Sequence, residues 1–248
     1  MISEKEFSEQ FSGFWNQCLP FLTPQLVAQM NVGGFPMPTS NGFVVKPLEA
    51  TEETANNDLV ADTGFGIFAA ACQSKKSVTS IAKDADLIEK IRQSALDRIR
   101  VLRGRDTKKK LVPLESLKDA FEIAFRLEDF FDNEEDGDIS IQPRFKGCGI
   151  LDSCYGDLFQ SATLYEVKCV DRNLRSVDIR QVLSYCALNY QSREIIIDDV
   201  CIVNPRRGIA FRFGVEELAR KASGKNSAEL FHQIGDFLMN FEVIQRPS

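Results

Sequence analysis

Apolar residues recur at helical spacing through much of the first 131 residues and give way to denser, strand-like runs after residue 138. Phe7, Phe11, Phe14, Trp15 and Leu19 form one broad apolar face within a helical stretch over 5–31 that Pro20 interrupts. Residues 32–60 are rich in Gly, Pro, Asn and Thr and read as loops around small elements, with a short strand-like stretch at Phe43-Val44-Val45-Lys46. Gly64-Phe65-Gly66 lacks the third glycine or the Gly-Lys ending of a phosphate-binding loop, so the spacing predicts a turn there. A long charged helix is predicted over 79–103, with Ile81, Leu87, Ile91, Leu96, Ile99 and Val101 as its apolar positions. The basic run Arg103–Lys110 then reads as an exposed linker or a phosphate-contacting strip.

Beyond that run the rhythm changes. An amphipathic helix over 114–131 and an acidic turn over 132–138 precede a strand-rich segment over 139–170. A helix over 176–190, a strand over 195–203, a turn at Asn204-Pro205-Arg206-Arg207-Gly208, a strand over 209–213 and helices from about 215 complete the chain. Helix, strands, helix, strand is the order of an α/β fold, a mixed β-sheet flanked by helices. The boundary at the basic run divides the chain into a mostly helical N-terminal accessory region, 1–110, and a second domain, 111–248.

Composition narrows the chemistry. Hydrophobic residues make up 44% and charged residues 27% of the 248, enough apolar surface for a real core without staples. Seven cysteines, an odd number with no Cys-x-x-Cys pair, fit reduced thiols in a reducing compartment better than disulfides or a zinc site. No basic, apolar leader opens the sequence and no run approaches a membrane span, so the expectation is a soluble cytoplasmic protein with no membrane partner. The net charge of −6 argues mildly against a protein that coats nucleic acid, but not against an enzyme with a local basic strip. The lone histidine, His232, lies in a C-terminal helical pattern, which removes histidine triads and histidine–metal sites from contention.

Thr163–Val170 is predicted as a strand, and Glu166 and Lys168, two apart, share one of its faces. Two ionisable groups on so apolar a strand are costly if buried without partners. Upstream, Tyr155–Gln160 can form the other arm of a hairpin turning near Ser161–Ala162, which returns Asp157 to the strand end carrying Glu166. Two converging carboxylates repel unless a cation lies between them, and Mg²⁺ prefers one or two carboxylates with water and phosphate oxygens. Asp157 and Glu166 are thus candidate metal ligands, the Val167 carbonyl a further oxygen, and Lys168 a group to orient or help deprotonate water. Gln181 and Tyr185, four apart, share a face of the following helix, with Ser176 as a candidate N-cap. Asp152, in Gly149-Ile150-Leu151-Asp152, is the alternative metal-binding aspartate.

Asp157, Glu166-Val167-Lys168 and Gln181-Val182-Leu183-Ser184-Tyr185 together resemble the PD-(D/E)XK nuclease superfamily, in the branch with a QxxxY helix found in RecB-like and Cas4-like nucleases. The resemblance covers about residues 115–213. It implies a restriction-endonuclease-like fold, Mg²⁺- or Mn²⁺-dependent hydrolysis of phosphodiesters, with DNA as the expected substrate and 5′-phosphate products, and a supporting, DNA-contacting role for Gln181 and Tyr185. It also implies an extra acid from the preceding helix, for which Glu122 and Glu128 are candidates. The family setting suggests bacterial restriction or antiphage defence beside an ATPase, helicase or other subunit, with self-association open. A second reading keeps the scaffold as a non-cutting subunit that binds nucleic acid or protein. Asp106-Thr107-Lys108 is a decoy with no strand around it, and Arg172, Arg175, Arg180, Arg206 and Arg207 are candidate contacts to a phosphate backbone.

Overall fold

The computed structural model describes residues 1–39, 45–48, 57–103, 116–134 and 137–244. The Asp106-Thr107-Lys108 decoy, most of the basic run and the first half of the Phe43–Lys46 stretch lie outside the described residues. Val45 and Lys46 are not in a strand.

Three short helices open the chain: α1 (Glu4–Gln10), α2 (Ser12–Cys18) and α3 (Pro24–Val32). The apolar periodicity predicts the helical content but not the break at Phe11, whose backbone leaves the helical region. Ser3 caps α1, its hydroxyl accepting from the Glu6 N–H while the Glu6 carboxylate accepts from the Ser3 N–H. The two-residue strand β1 (Phe35–Pro36) leads to α4 (Asn57–Ser74), α5 (Val78–Ile81), α6 (Ala85–Arg103) and α7 (Leu117–Asp132). Then come β2 (Ser140–Ile141), β3 (Arg144–Phe145), β4 (Cys154–Tyr155), β5 (Leu158–Gln160) and β6 (Thr163–Val167). The chain ends with α8 (Ser176–Ser192), β7 (Asp199–Asn204), β8 (Ile209–Gly214), α9 (Val215–Ser223) and α10 (Ser227–Ile244).

The predicted α/β architecture is present. Six strands form a mixed sheet in the order β1-β8-β7-β6-β5-β2, antiparallel except where β6 runs parallel to β7. Parallel neighbours need a crossover, and α8 supplies it. Alternation along β6 divides the two faces. Leu164 joins a core with α8 residues Val182, Leu183 and Ala187 and with Phe7 and Trp15 of the first helices. Tyr165 joins a second core built from α4, α6 and α7. Helices from 1–103 therefore contribute to both cores, and β1 extends the sheet at β8. The N-terminal region is mostly helical, as expected, and shares its cores with 116–244.

Gly64-Phe65-Gly66 forms no turn; it lies inside α4. The glycines serve helix packing. A Cβ at Gly64 would lie 2.7 Å from the Ala120 carbonyl oxygen of α7, and one at Gly66 2.8 Å from Ile91 of α6. Gly64→Ala is therefore expected to destabilise the protein by about 1–3 kcal/mol, because a backbone oxygen cannot rotate aside as a side chain can. Denaturant melts at unchanged m-value check this.

Candidate active site

The hairpin forms at the predicted place. Ser161 and Ala162 carry positive φ values of 46° and 60°, the geometry of a two-residue turn whose twist suits the flanking strands. The pairing Leu158↔Tyr165 brings Asp157, one residue beyond β5, beside Glu166. Along β6 the peptide groups of Thr163 and Tyr165 face β5, and those of Val167 point to the same side, where β5 has ended. Asp157 fills that end of the ladder: its Oδ2 accepts the Val167 N–H at 2.7 Å. The Val167 carbonyl is directed to the same side as its N–H, next to the aspartate.

Glu166 is 5% exposed. Its Oε1 accepts from Lys168 Nζ at 2.7 Å, and Lys168 Nζ also donates to Gln181 Oε1 at 2.6 Å. Gln181 Nε2 in turn donates to the Tyr185 hydroxyl at 2.8 Å. The strand and α8 are thus joined by a continuous chain of hydrogen bonds, Glu166–Lys168–Gln181–Tyr185. Tyr185 is buried and stacks on Phe145 of β3, with ring centroids 5.4 Å apart.

Electrostatics follow from this crowding. Burial, then the neighbouring Glu166 charge, pushes the Asp157 carboxyl well above the ordinary aspartate range, against the lowering influence of the Val167 N–H and Lys168. Burial lowers the Lys168 ammonium, but Glu166 beside it outweighs that and holds the lysine protonated. The Tyr185 phenol is raised by burial and by Glu166, so it stays neutral.

Asp152 lies outside the β5–β6 hairpin, next to the N-terminal segment. Its backbone N–H donates to the Ile2 carbonyl at 2.9 Å, part of a small bridge between the N-terminus and Leu151. Of the two candidate aspartates, the hairpin brings Asp157 beside Glu166. The extra helical acids are placed differently too. Glu122 pairs with Arg126 at 2.8 Å and Glu128 accepts the Val78 N–H at 2.7 Å. Both have structural partners. Besides Asp178 of α8, which acts on Lys168, the helical acids that the site feels include Glu4, at the start of α1, and Asp62, in α4. Glu4 interacts electrostatically with Glu166 and Lys168, and Asp62 with Asp157. Asp62 pairs with Arg98 at 3.0 Å, and the two line a cavity of about 250 Å³ with Asp157 and Val167. Nothing in the sequence around Glu4 or Asp62 marks them, because both contacts are set by tertiary packing.

The arginine cluster is mostly structural. Arg172 makes a two-pronged pair with Asp178, at 2.6 and 2.8 Å. Arg206 is 1% exposed, with Asn57 at 3.2 Å and Asp171 at 3.8 Å. Arg207 donates to Asn173 at 2.5 Å. Arg180 is half-buried, and Arg175 is exposed. Ser176 is the first helical residue of α8 and not its cap; Arg175 occupies the cap position, and Asp178 accepts the Arg175 N–H at 2.8 Å.

Asp178 carries a pH signature. Burial raises its carboxyl, but the Arg172 hydrogen bonds and the Arg175 N–H outweigh burial and hold it below the usual range. A depressed folded-state pKa adds stability that is fully present above the ordinary aspartate value and is lost as pH falls through the folded one. Asp178→Asn is expected to flatten stability against pH in that acidic window, as read by urea melts between about pH 2.5 and 5.

Among the described residues no group of three or more His, Cys, Asp or Glu side chains is arranged to hold a metal ion. The donors at hand are two carboxylates and one backbone carbonyl. That set suits a hard cation which keeps water and substrate oxygens in its shell, as Mg²⁺ and Mn²⁺ do, and not zinc. Comparison with protein-family models, curated proteins and solved structures finds no match for the chain.

Proposed function

We propose that the chain is a metal-dependent nuclease that hydrolyses phosphodiester bonds, with DNA as the favoured substrate. The observation carrying this reading is the convergence of Asp157 and Glu166 beside Lys168, tied through Gln181 to Tyr185. A buried carboxylate pair with one ammonium is costly as mere structure, and a divalent cation relieves its repulsion. Asp157, Glu166 and the Val167 carbonyl would hold Mg²⁺ or Mn²⁺, which when bound supplies a Lewis acid for the phosphate and lowers the pKa of water.

The chain's own groups have defined parts in such a reaction. Lys168, kept protonated by Glu166, orients water and stabilises negative charge gathering on the phosphate oxygens as the water oxygen bonds to phosphorus and the phosphorus–oxygen ester bond breaks. Gln181 holds the Lys168 Nζ in place, and the buried Tyr185 holds Gln181. The seven unpaired cysteines support a reducing, cytoplasmic setting. Among the described residues no helix is long and apolar enough to cross a membrane. A restriction or antiphage role beside a partner ATPase or helicase is part of this proposal and rests on the family resemblance alone.

A second reading, a non-cutting subunit that binds nucleic acid or protein on the same scaffold, has one observation on its side: among the described residues no group of three or more His, Cys, Asp or Glu side chains is arranged to hold a metal ion. Supercoiled plasmid incubated with the protein in Mg²⁺, Mn²⁺ or EDTA separates the two. Cutting that needs the metal supports the nuclease. Binding without cutting in every condition supports the subunit.

A further inference from the structure

Beside the candidate site, β3 and β4 form a two-stranded hairpin of their own, with Arg144 opposite Tyr155 and Phe145 opposite Cys154. Its inner face is anchored: Phe145 and Cys154 are buried, and Phe145 stacks on Tyr185. Its outer face is not. Tyr155 is 57% exposed and makes no ring contact among the described residues. Arg144 is also exposed and, among the described residues, has a single side-chain hydrogen bond, a 3.5 Å contact with the Ser153 hydroxyl. An aromatic ring and a guanidinium, paired across a hairpin and both turned to water, add little to the fold beyond their cross-strand contact.

The hairpin is held against the site by backbone hydrogen bonds. The Gly156 N–H donates to the Pro143 carbonyl at 3.0 Å, and the Gln142 N–H to the Asp157 carbonyl at 2.8 Å. Tyr155 is two residues from Asp157, so their Cα atoms are at most about 7 Å apart. That upper limit is within about two stacked nucleotide steps at roughly 3.4 Å each. We propose that Tyr155 and Arg144 form a stacking platform for an unpaired nucleotide, so that the site takes single-stranded nucleic acid. The ring accepts a base face of any sequence while the guanidinium meets the adjoining phosphate. Duplex bases, stacked on each other, offer no free face to Tyr155. This rests on the nuclease reading for the neighbouring site, but its test does not need cutting.

The test measures binding in EDTA, by fluorescence anisotropy, of labelled oligothymidylate, oligouridylate and a blunt duplex of the same length to the full chain. Wild type is expected to bind the single strands more tightly than the duplex, Tyr155→Ala to weaken single-strand binding about 10-fold, and Tyr155→Phe to retain it. Arg144→Ala is expected to shallow the salt dependence of log K by about 0.7. Because Tyr155 is exposed, the variants should melt with wild type, which separates loss of the platform from loss of the fold. Tyr155→Ala binding like wild type, Tyr155→Phe as weak as Tyr155→Ala, or no single-strand binding by wild type would each overturn the platform. Tyr155-dependent binding without metal-dependent cutting leaves the platform standing and removes the nuclease reading. Cutting with unaffected Tyr155→Ala binding does the reverse.

Discussion

Lys168→Ala is expected to lower metal-dependent cleavage by roughly 10²–10³-fold or more, the usual loss when a donor to developing negative charge is removed. The ammonium is the sole cation hydrogen-bonded to Glu166 among the described residues, and it also fixes Gln181. Lys168→Arg should recover little, since a planar guanidinium cannot donate from one point to both oxygens as the ammonium does. Asp157→Asn should abolish cleavage as well, yet raise stability in EDTA. Burial and Glu166 push the Asp157 carboxyl upward, so its ionised form is the destabilising one. The sign follows by linkage: the native state holds this proton at pH values where the unfolded chain has lost it, so wild-type stability falls as pH rises above the ordinary aspartate range. Asp157→Asn lacks that slope, and Mg²⁺ should raise the melting temperature of wild type but not of the variant. Thermal melts with and without metal, run beside a plasmid assay, read both effects. Equal cleavage by Lys168→Ala and wild type would end the proposed chemistry.

The second large effect is structural. Trp15 is fully buried, its indole N–H donates to the Phe7 carbonyl at 2.8 Å, and its ring lies 4.8 Å from that of Phe7. Phe14 stacks on Phe237 of α10 with centroids 3.9 Å apart, and Phe7 and Phe11 also meet Phe237. Trp15→Ala removes the largest side chain at the junction of the first helices with α8 and α10 and leaves a buried carbonyl without its donor. A loss of about 3–5 kcal/mol is expected. If α1 holds Glu4 beside Glu166 and Lys168, the same substitution should also weaken activity at temperatures where the fold persists. Chemical denaturation gives the first figure, and cleavage rates well below the melting midpoint give the second.

The sequence made the hairpin legible because its signals are local: a strand too apolar for its two charges, a turn, and an aspartate at the right return distance. The helix carrying Gln181 and Tyr185 was legible for the same reason. The glycines of α4 misled because a glycine needed for close helix approach looks like one needed for a turn, and the neighbours that decide it, Ala120 and Ile91, are distant in sequence. The strand predicted from Ile195 begins at Asp199, since apolar residues alone do not show where pairing with β6 starts. The arginines looked like a phosphate strip, but Asp178, Asn173 and Asn57 engage three of them. Glu4 was invisible: an ordinary first-turn acid and a site acid look alike until the first helix is seen lying on α8.

The seven unpaired cysteines also shape how the molecule can be handled. Burial pushes the thiols of Cys18, Cys154, Cys169, Cys186 and Cys201 up to about 12 and that of Cys72 to about 11, and raises Cys148 as well. At neutral pH the reactive anion of the five raised to about 12 is then a trace, on the order of one molecule in 10⁵. A single cysteine introduced on the exposed side of α9 should outpace them all toward a maleimide, giving the native chain one dye at one chosen point without first stripping its own sulfurs.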